Sequence, residues 1–370
     1  MDLVPKPEQV LAAAANVLHR VRRGGLADLR PMPRSVVAEG ERHRVHHLEP
    51  DPAVARRGEP VLLVPPLGVP VDCFDLRRGC SLAEHLVTGG RPAYVVELHP
   101  ADLRDPDLTA DPWVTEVLPA AVRTASQHAG GRPVHVVGWS LGGTFALLAA
   151  ARDAGLPVAS VTALGAPVDV TAVPMQAPVR PLVSATDWTG PVGVASRVVG
   201  SAPAVRWALG LDAVQQLVTR PAAVGAHLDD ADWLAQLEAV DRLSTASAPY
   251  RGRGFGRLHH RFAGSPVELA SLTAPTLVVA GAADTIAPVA AVRAAVPLLT
   301  GAAEVRFEIV PGGHLGLLTG RGARAGTWPV LDEWFEQWDG TDAPPETTIG
   351  ANPRRRHTSA GSRALNRQER

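Results

Sequence analysis

Six short apolar runs, each bounded by Pro or Gly, punctuate the chain: 60-PVLLVPPLG-68, 92-PAYVVELH-99, 133-PVHVVGWS-140, 157-PVASVTALG-165, 275-PTLVVAG-281 and 304-EVRFEIVPG-312. Runs this short and rich in Val suit strands buried on both faces of a parallel sheet. Between them, 80-CSLAEHLVTGG-90, 113-WVTEVLPAAVRTASQHAG-130, 141-LGGTFALLAAARDAG-155 and 288-PVAAVRAAVPLL-299 read as helices. The alternation predicts a doubly wound, mostly parallel α/β sheet.

Three stretches depart from that rhythm. Residues 8–23 place Val10, Leu11, Ala14, Val17, Leu18 and Val21 on one stripe, opposite Glu8, Gln9, Arg20 and Arg22, which predicts an amphipathic helix. Its stripe is expected to pack against the domain, with a lipid surface as the alternative resting place. From 167 to 272 the chain is Pro-rich, carries Trp188, Trp207 and Trp233, and shows helical patterning near 202–218 and 229–243. It reads as a mostly helical cap inserted between two strands. From Gly340 onward apolar periodicity is lost, which predicts a flexible tail with a short basic run, Arg354 to Arg356. The expected organisation is a lead-in over 1–35, a catalytic core over 36–166 and 273–339, the cap over 167–272, and the tail over 340–370.

Composition narrows the classes further. A chain of 370 residues is long for one domain but usual for an α/β enzyme with an insertion. With 4% aromatic residues, its core must be built mainly from Ala, Val and Leu. A formal net charge of -1 supplies no global field for nucleic acid, so no specific nucleic-acid partner is expected. Two cysteines, Cys73 and Cys80, argue for reduced thiols and a cytoplasmic setting. Neither a basic leader before an apolar stretch nor a run of about eighteen apolar residues is seen.

The sharpest chemical signal is 138-GWSLGG-143, a G-x-S-x-G pattern directly after a predicted strand and before a predicted helix. Such a turn lifts the Ser140 hydroxyl above the sheet and needs small neighbours, here Gly138 and Gly142. A serine hydroxyl needs a base to accept its proton and a carboxylate to orient that base. Downstream in the chain order this fold requires, Asp284 follows one strand and His314 follows the next. Asp284 alone as a helix cap is the bland alternative, and Asp169 is a competing acid. His43, His46 and His47 precede the sheet, and His259 and His260 fall in the cap. No ligand set points to a metal and no cofactor is expected. The Leu141 amide is one candidate oxyanion donor. The other comes from 64-VPPLGVP-70, where Pro65 and Pro66 have no amide hydrogen and Leu67 is the nearest donor. Trp139, Trp188 and Trp207 are candidate substrate contacts.

These residues resemble the polyhydroxyalkanoate synthase group within the α/β hydrolases. The resemblance rests on 64-VPPLGVPVDCFDLRRGCSLAEHL-86, 138-GWSLGG-143, 249-PYRGRGFGRLHHRF-262 leading into 275-PTLVVAGAADTIAP-288, and 313-GHLGLLTG-320, across about 40–340. It implies an α/β-hydrolase fold with an inserted cap and an acyl substrate: a lipid ester, an acyl thioester or a hydroxyalkanoate ester. The synthases carry a cysteine nucleophile where this chain has Ser140. An acyl-serine favours hydrolysis, or transfer to an alcohol, over polymer growth on a thiolate. The resulting expectation is a serine hydrolase of carboxylic esters or thioesters. An acyltransferase and a catalytically silent lipid-inclusion-binding scaffold are the alternatives.

Overall fold

A computed structural model gives the fold; it describes residues 6–98, 111–169, 224–246 and 268–340. All of these belong to one unit, Met1–Gly340, while Thr341–Arg370 lies outside the described residues.

The six apolar runs form strands β3 (Val61–Val64), β4 (Ala93–Leu98), β5 (Val134–Trp139), β6 (Val158–Leu164), β7 (Thr276–Gly281) and β8 (Val305–Val310). Two further strands, β1 (Arg34–Glu39) and β2 (His43–Leu48), precede them. The eight make one sheet in the order β1-β2-β4-β3-β5-β6-β7-β8. The β1/β2 and β2/β4 pairs are antiparallel and all others parallel. Because β3 is flanked by β4 on one side and β5 on the other, the topology switches direction there. In open α/β sheets the crevice beyond the strand ends at that point is where sites form.

Successive residues of each strand alternate between two apolar layers. Leu62, Val64, Val136 and Val278 face helices α3 (Leu118–His128) and α4 (Leu141–Arg152) in one cluster. Leu63, Val137, Trp139 and Val279 lie in the other, with α2 (Leu82–Thr88) and α8 (Thr327–Trp338). A π-helical turn, Trp113–Val117, leads into α3. Pro119, whose nitrogen cannot donate, stands in the first turn of α3. Helices α6 (Val289–Arg293) and α7 (Gly320–Ala325) complete the core. Both cysteines are buried and free, and burial pushes the Cys73 thiol well above its ordinary range.

Within the interval read as the cap, the described helix is α5 (Ala231–Ala246), close to the expected 229–243. The patterning near 202–218, with Trp188 and Trp207, lies outside the described residues. Helix α5 is fastened to the core by Arg77, whose buried guanidinium donates to Asp232 at 2.6 Å and Gln236 at 3.0 Å. Among the described residues no helix is long and apolar enough to cross a membrane.

Helix α1 (Pro7–Arg23) corrects one expectation. Its apolar stripe does not pack on the domain: no residue of the helix is buried. The helix docks instead through polar side chains, with Gln9 donating to Asp229 at 3.0 Å and Asn16 to the Leu228 carbonyl at 2.8 Å.

Candidate active site

Strand β5 ends at Trp139 and α4 begins at Leu141, leaving Ser140 to make the whole turn. Its backbone sits at φ 55° and ψ -129°, the sole non-glycine positive φ among the described residues. A serine held there costs about 1–3 kcal/mol, which the surroundings must outweigh. They do so through hydrogen bonds from the Ser140 amide to the Leu164 carbonyl, 2.8 Å, and from the Gly143 amide to the Ser140 carbonyl, 3.0 Å.

The glycines around the turn are required by contact. A Cβ on Gly138 would lie 2.4 Å from the Gly143 Cα, and one on Gly142 would lie 2.3 Å from the Val64 carbonyl oxygen and 2.7 Å from that of Pro65. Gly142 thus lets the first turn of α4 abut the loop that carries Leu67. Gly142→Ala is expected to drive that loop away. Thermal unfolding should show a loss of about 1–3 kcal/mol from overpacking, and turnover should fall about 100-fold if the loop supplies an oxyanion donor.

Asp284 and His314 come from the two neighbouring strands. Past β7, the Asp284 side chain is fully buried and divides its oxygens. Oδ1 accepts from the amides of Ile286, 2.9 Å, and Ala287, 2.8 Å, while Oδ2 pairs with His314 Nδ1 at 2.7 Å. The turn-capping and histidine-orienting roles therefore use different atoms of one carboxylate. Past β8, Gly312 at φ 121° reverses the chain and presents His314, whose Nε2 lies 2.9 Å from Ser140 Oγ. An Nδ1–H donated to Asp284 leaves Nε2 as the acceptor for the serine proton. Asp169, the competing acid, sits after β6 with its amide on the Ala291 carbonyl at 3.2 Å; the carboxylate on His314 is that of Asp284.

At the expected oxyanion positions, Leu141 opens α4, so its amide has no acceptor within the helix. The amide of Leu67 makes no hydrogen bond among the described residues. Neither amide thus has a backbone acceptor among the described residues, and both remain candidate oxyanion donors. Trp139 corrects the expectation of a substrate contact. It is completely buried under the turn, and its Nε1 donates to the His314 carbonyl at 3.1 Å. It holds the histidine loop from beneath.

Gly165 escapes sequence reasoning. At φ 53° after β6, it sits beneath the pair, where a Cβ would come within 3.3 Å of both Asp284 Oδ2 and His314 Nδ1. Only a Gly at the end of an apolar run hints at it. Among the described residues no three His, Cys, Asp or Glu side chains gather as a metal-ligand set.

Known proteins share this architecture. The model of the alpha/beta hydrolase fold family matches residues 99–321. The chain is 22% identical over 342 residues to the poly(3-hydroxyalkanoate) polymerase subunit PhaC of Haloferax mediterranei, covering 85% of this chain and 66% of that protein. The chain therefore spans slightly under two thirds of that relative. Among solved structures, a carboxylesterase of Nitrososphaera gargenis aligns with a TM-score of 0.51 at 14% identity, covering 82% of this chain and 98% of the other. A bacterial membrane phospholipase A aligns at 0.50 and 18%, covering 88% and 96%. Likeness at such identities speaks for the fold alone. The matched family model takes in more than half of the chain, and the protein belongs to the α/β-hydrolase fold family.

Proposed function

We propose that the protein is a serine hydrolase acting on carboxylic esters or thioesters with an aliphatic acyl chain. The observation that carries this reading is the unbroken run from Asp284 Oδ2 through His314 to Ser140 Oγ, at 2.7 and 2.9 Å, ending on a serine in a strained turn. A binding module needs no such arrangement.

In the proposed reaction Ser140 Oγ attacks the acyl carbonyl carbon as its proton passes to His314 Nε2. Asp284 stabilises the imidazolium that forms. The tetrahedral oxyanion is met by the amides of Leu141 and Leu67, and loss of either donor costs about 3–4 kcal/mol. Collapse expels the alcohol or thiol, which takes the Nε2 proton, and leaves an acyl-serine. Water, deprotonated by the same nitrogen, then attacks the ester carbon; the bond from that carbon to Ser140 Oγ breaks, Oγ takes the proton back from Nε2, and the acid is released. We assign 36–166 and 273–339 to the catalytic core and 167–272 to a cap that shapes the acyl pocket, with Trp188 and Trp207 as candidate walls.

A second reading has its own support. The similarity to a polymerase subunit across 85% of this chain favours an acyltransferase, in which an alcohol replaces water in the last step. Release of nitrophenol from acyl nitrophenyl esters of increasing length, with and without glycerol, separates the two. Steady turnover without glycerol is the expected result, and its chain-length optimum sizes the pocket. A single burst that turns over only with glycerol would favour the acyltransferase, and no release at all would leave a silent scaffold.

A further inference from the structure

We infer that α1 is an interfacial element that seats the protein on an anionic lipid surface. The inference stands on the helix itself and is independent of the proposed reaction.

Of the seven large apolar side chains that stand exposed among the described residues, five belong to α1: Val10, Leu11, Val17, Leu18 and Val21. They share one stripe, and Leu11 and Val21 are 72% and 78% exposed. Exposure of one face is not detachment of the helix. Gln9, Asn16 and Arg20, spaced seven and four residues apart, lie on another face and hold α1 to the segment containing α5. The contacts run to Asp229, to the Leu228 carbonyl and to Glu238. Glu238 also accepts from the amides of Leu26 and Ala27, at 2.7 and 3.0 Å, and so fixes the chain leaving the helix. The polar face is the anchored one and the apolar face is presented outward.

The charges select the partner. Apart from Arg20, which pairs with Glu238, helix α1 carries Arg22 and Arg23 against one acidic residue, Glu8, while the whole chain has a net charge of -1. Lys6 lies four residues before Val10 and Arg22 four after Leu18, so cations border both edges of the stripe, where long basic side chains reach headgroups while the stripe enters the acyl boundary. A second copy of the chain is the weaker occupant. A stable dimer buries roughly 800 Å² on each partner, more than one stripe of five part-exposed side chains offers.

The test is partition of the full chain onto vesicles of phosphatidylglycerol and phosphatidylcholine mixed, and of phosphatidylcholine alone, read by co-sedimentation. Binding to the mixed vesicles is expected, with little to the neutral ones. Leu11→Asp with Leu18→Asp should abolish it without moving the unfolding temperature, since neither side chain is buried. Lys6→Ala with Arg22→Ala should weaken it about 25-fold, about fivefold per cation removed. Equal partition onto both vesicles, undiminished binding by the Asp variant, or absence of binding by the native chain would each overturn the inference. So would a dimer in light scattering that the Asp variant disperses while vesicles bind neither form. Each readout is a binding measurement, so a catalytically inert protein leaves the test intact.

Discussion

Replacing Ser140 with alanine is expected to lower ester turnover by about a millionfold, the loss seen when a nucleophile is removed from residues that act as a unit. The size follows from what the substitution spares. The Ser140 amide and carbonyl bond to Leu164 and Gly143 through the backbone, so the turn keeps its hold. The amides of Leu67 and Leu141 and the substrate space also survive, leaving residual catalysis over water of about 10³–10⁴-fold. What disappears is the acyl-serine, and with it the stoichiometric burst of nitrophenol in rapid mixing. Retention of the burst, or a fall of only a few-fold, would remove Ser140 from the chemistry. Because the variant should unfold at the native temperature, lost activity cannot be confused with lost structure.

The candidate triad is legible in the sequence because each member sits just past the end of a strand that is itself legible. Strands β3 to β7 are mostly buried on both faces, so selection for apolar side chains acts on every position and leaves a continuous run. The half-buried edge strand β8 is legible instead by its alternation of Val305, Phe307 and Ile309 with Arg306 and Glu308. The antiparallel strands β1 and β2 lack either signature. 34-RSVVAE-39 is half exposed, and 43-HRVHHL-48 fills buried positions with histidines that find partners: His46 bonds Glu97 at 2.6 Å, and His47 packs 5.0 Å from Tyr94. Burial lowers the His47 pKa and raises that of Tyr94 to about 12, keeping both rings neutral against each other. Polar sequence becomes core here by pairing, which no single-residue pattern displays. Gly165 and Trp139 are opaque for a related reason, since their contacts join loops 149 and 175 residues apart. The direction of α1 is opaque too: periodicity defines a stripe, but which face docks depends on partners far along the chain.

The second large effect lies at the opposite end of β5, where Asp339→Ala is expected to remove about 3 kcal/mol of stability. Arg91, 3% exposed, donates to both Asp339 oxygens at 2.9 and 2.8 Å, and the Glu59 amide adds a third bond at 2.7 Å. His135, wholly buried on β5, completes the cluster with Nε2 at 3.1 Å from Asp339 Oδ1 and Nδ1 at 2.7 Å from Ser160 Oγ. Since the indole of Trp334 donates to that same oxygen, Ser160 can donate its own proton to Nδ1, and neutral His135 then donates from Nε2 to Asp339. Removing the carboxylate strands the Arg91 charge, which costs about 3–5 kcal/mol for a buried pair; the 17% exposure of Asp339 lets water reach the gap and argues for the lower figure. The cluster also makes the fold acid-labile. Burial raises the Asp339 pKa, but the bonds from His135, Arg91 and the Glu59 amide outweigh it and hold the carboxyl well below its ordinary value. That contribution is complete above the unfolded carboxyl pKa of about 3.9 and is lost as pH falls through the lower folded value. Burial likewise lowers the His135 pKa against the opposing bond to Asp339, so its contribution is complete above about 6.5 and declines as pH falls below that. Urea unfolding should therefore show the native chain less stable at pH 5 than at pH 7.5. The variant, lacking the bond that opposes burial, should lose at least as much over the same interval. A loss under about 1 kcal/mol at pH 7.5, with an unchanged denaturant slope, would mean that solvent already screens Arg91 and that the strand ends are held by the apolar layers alone.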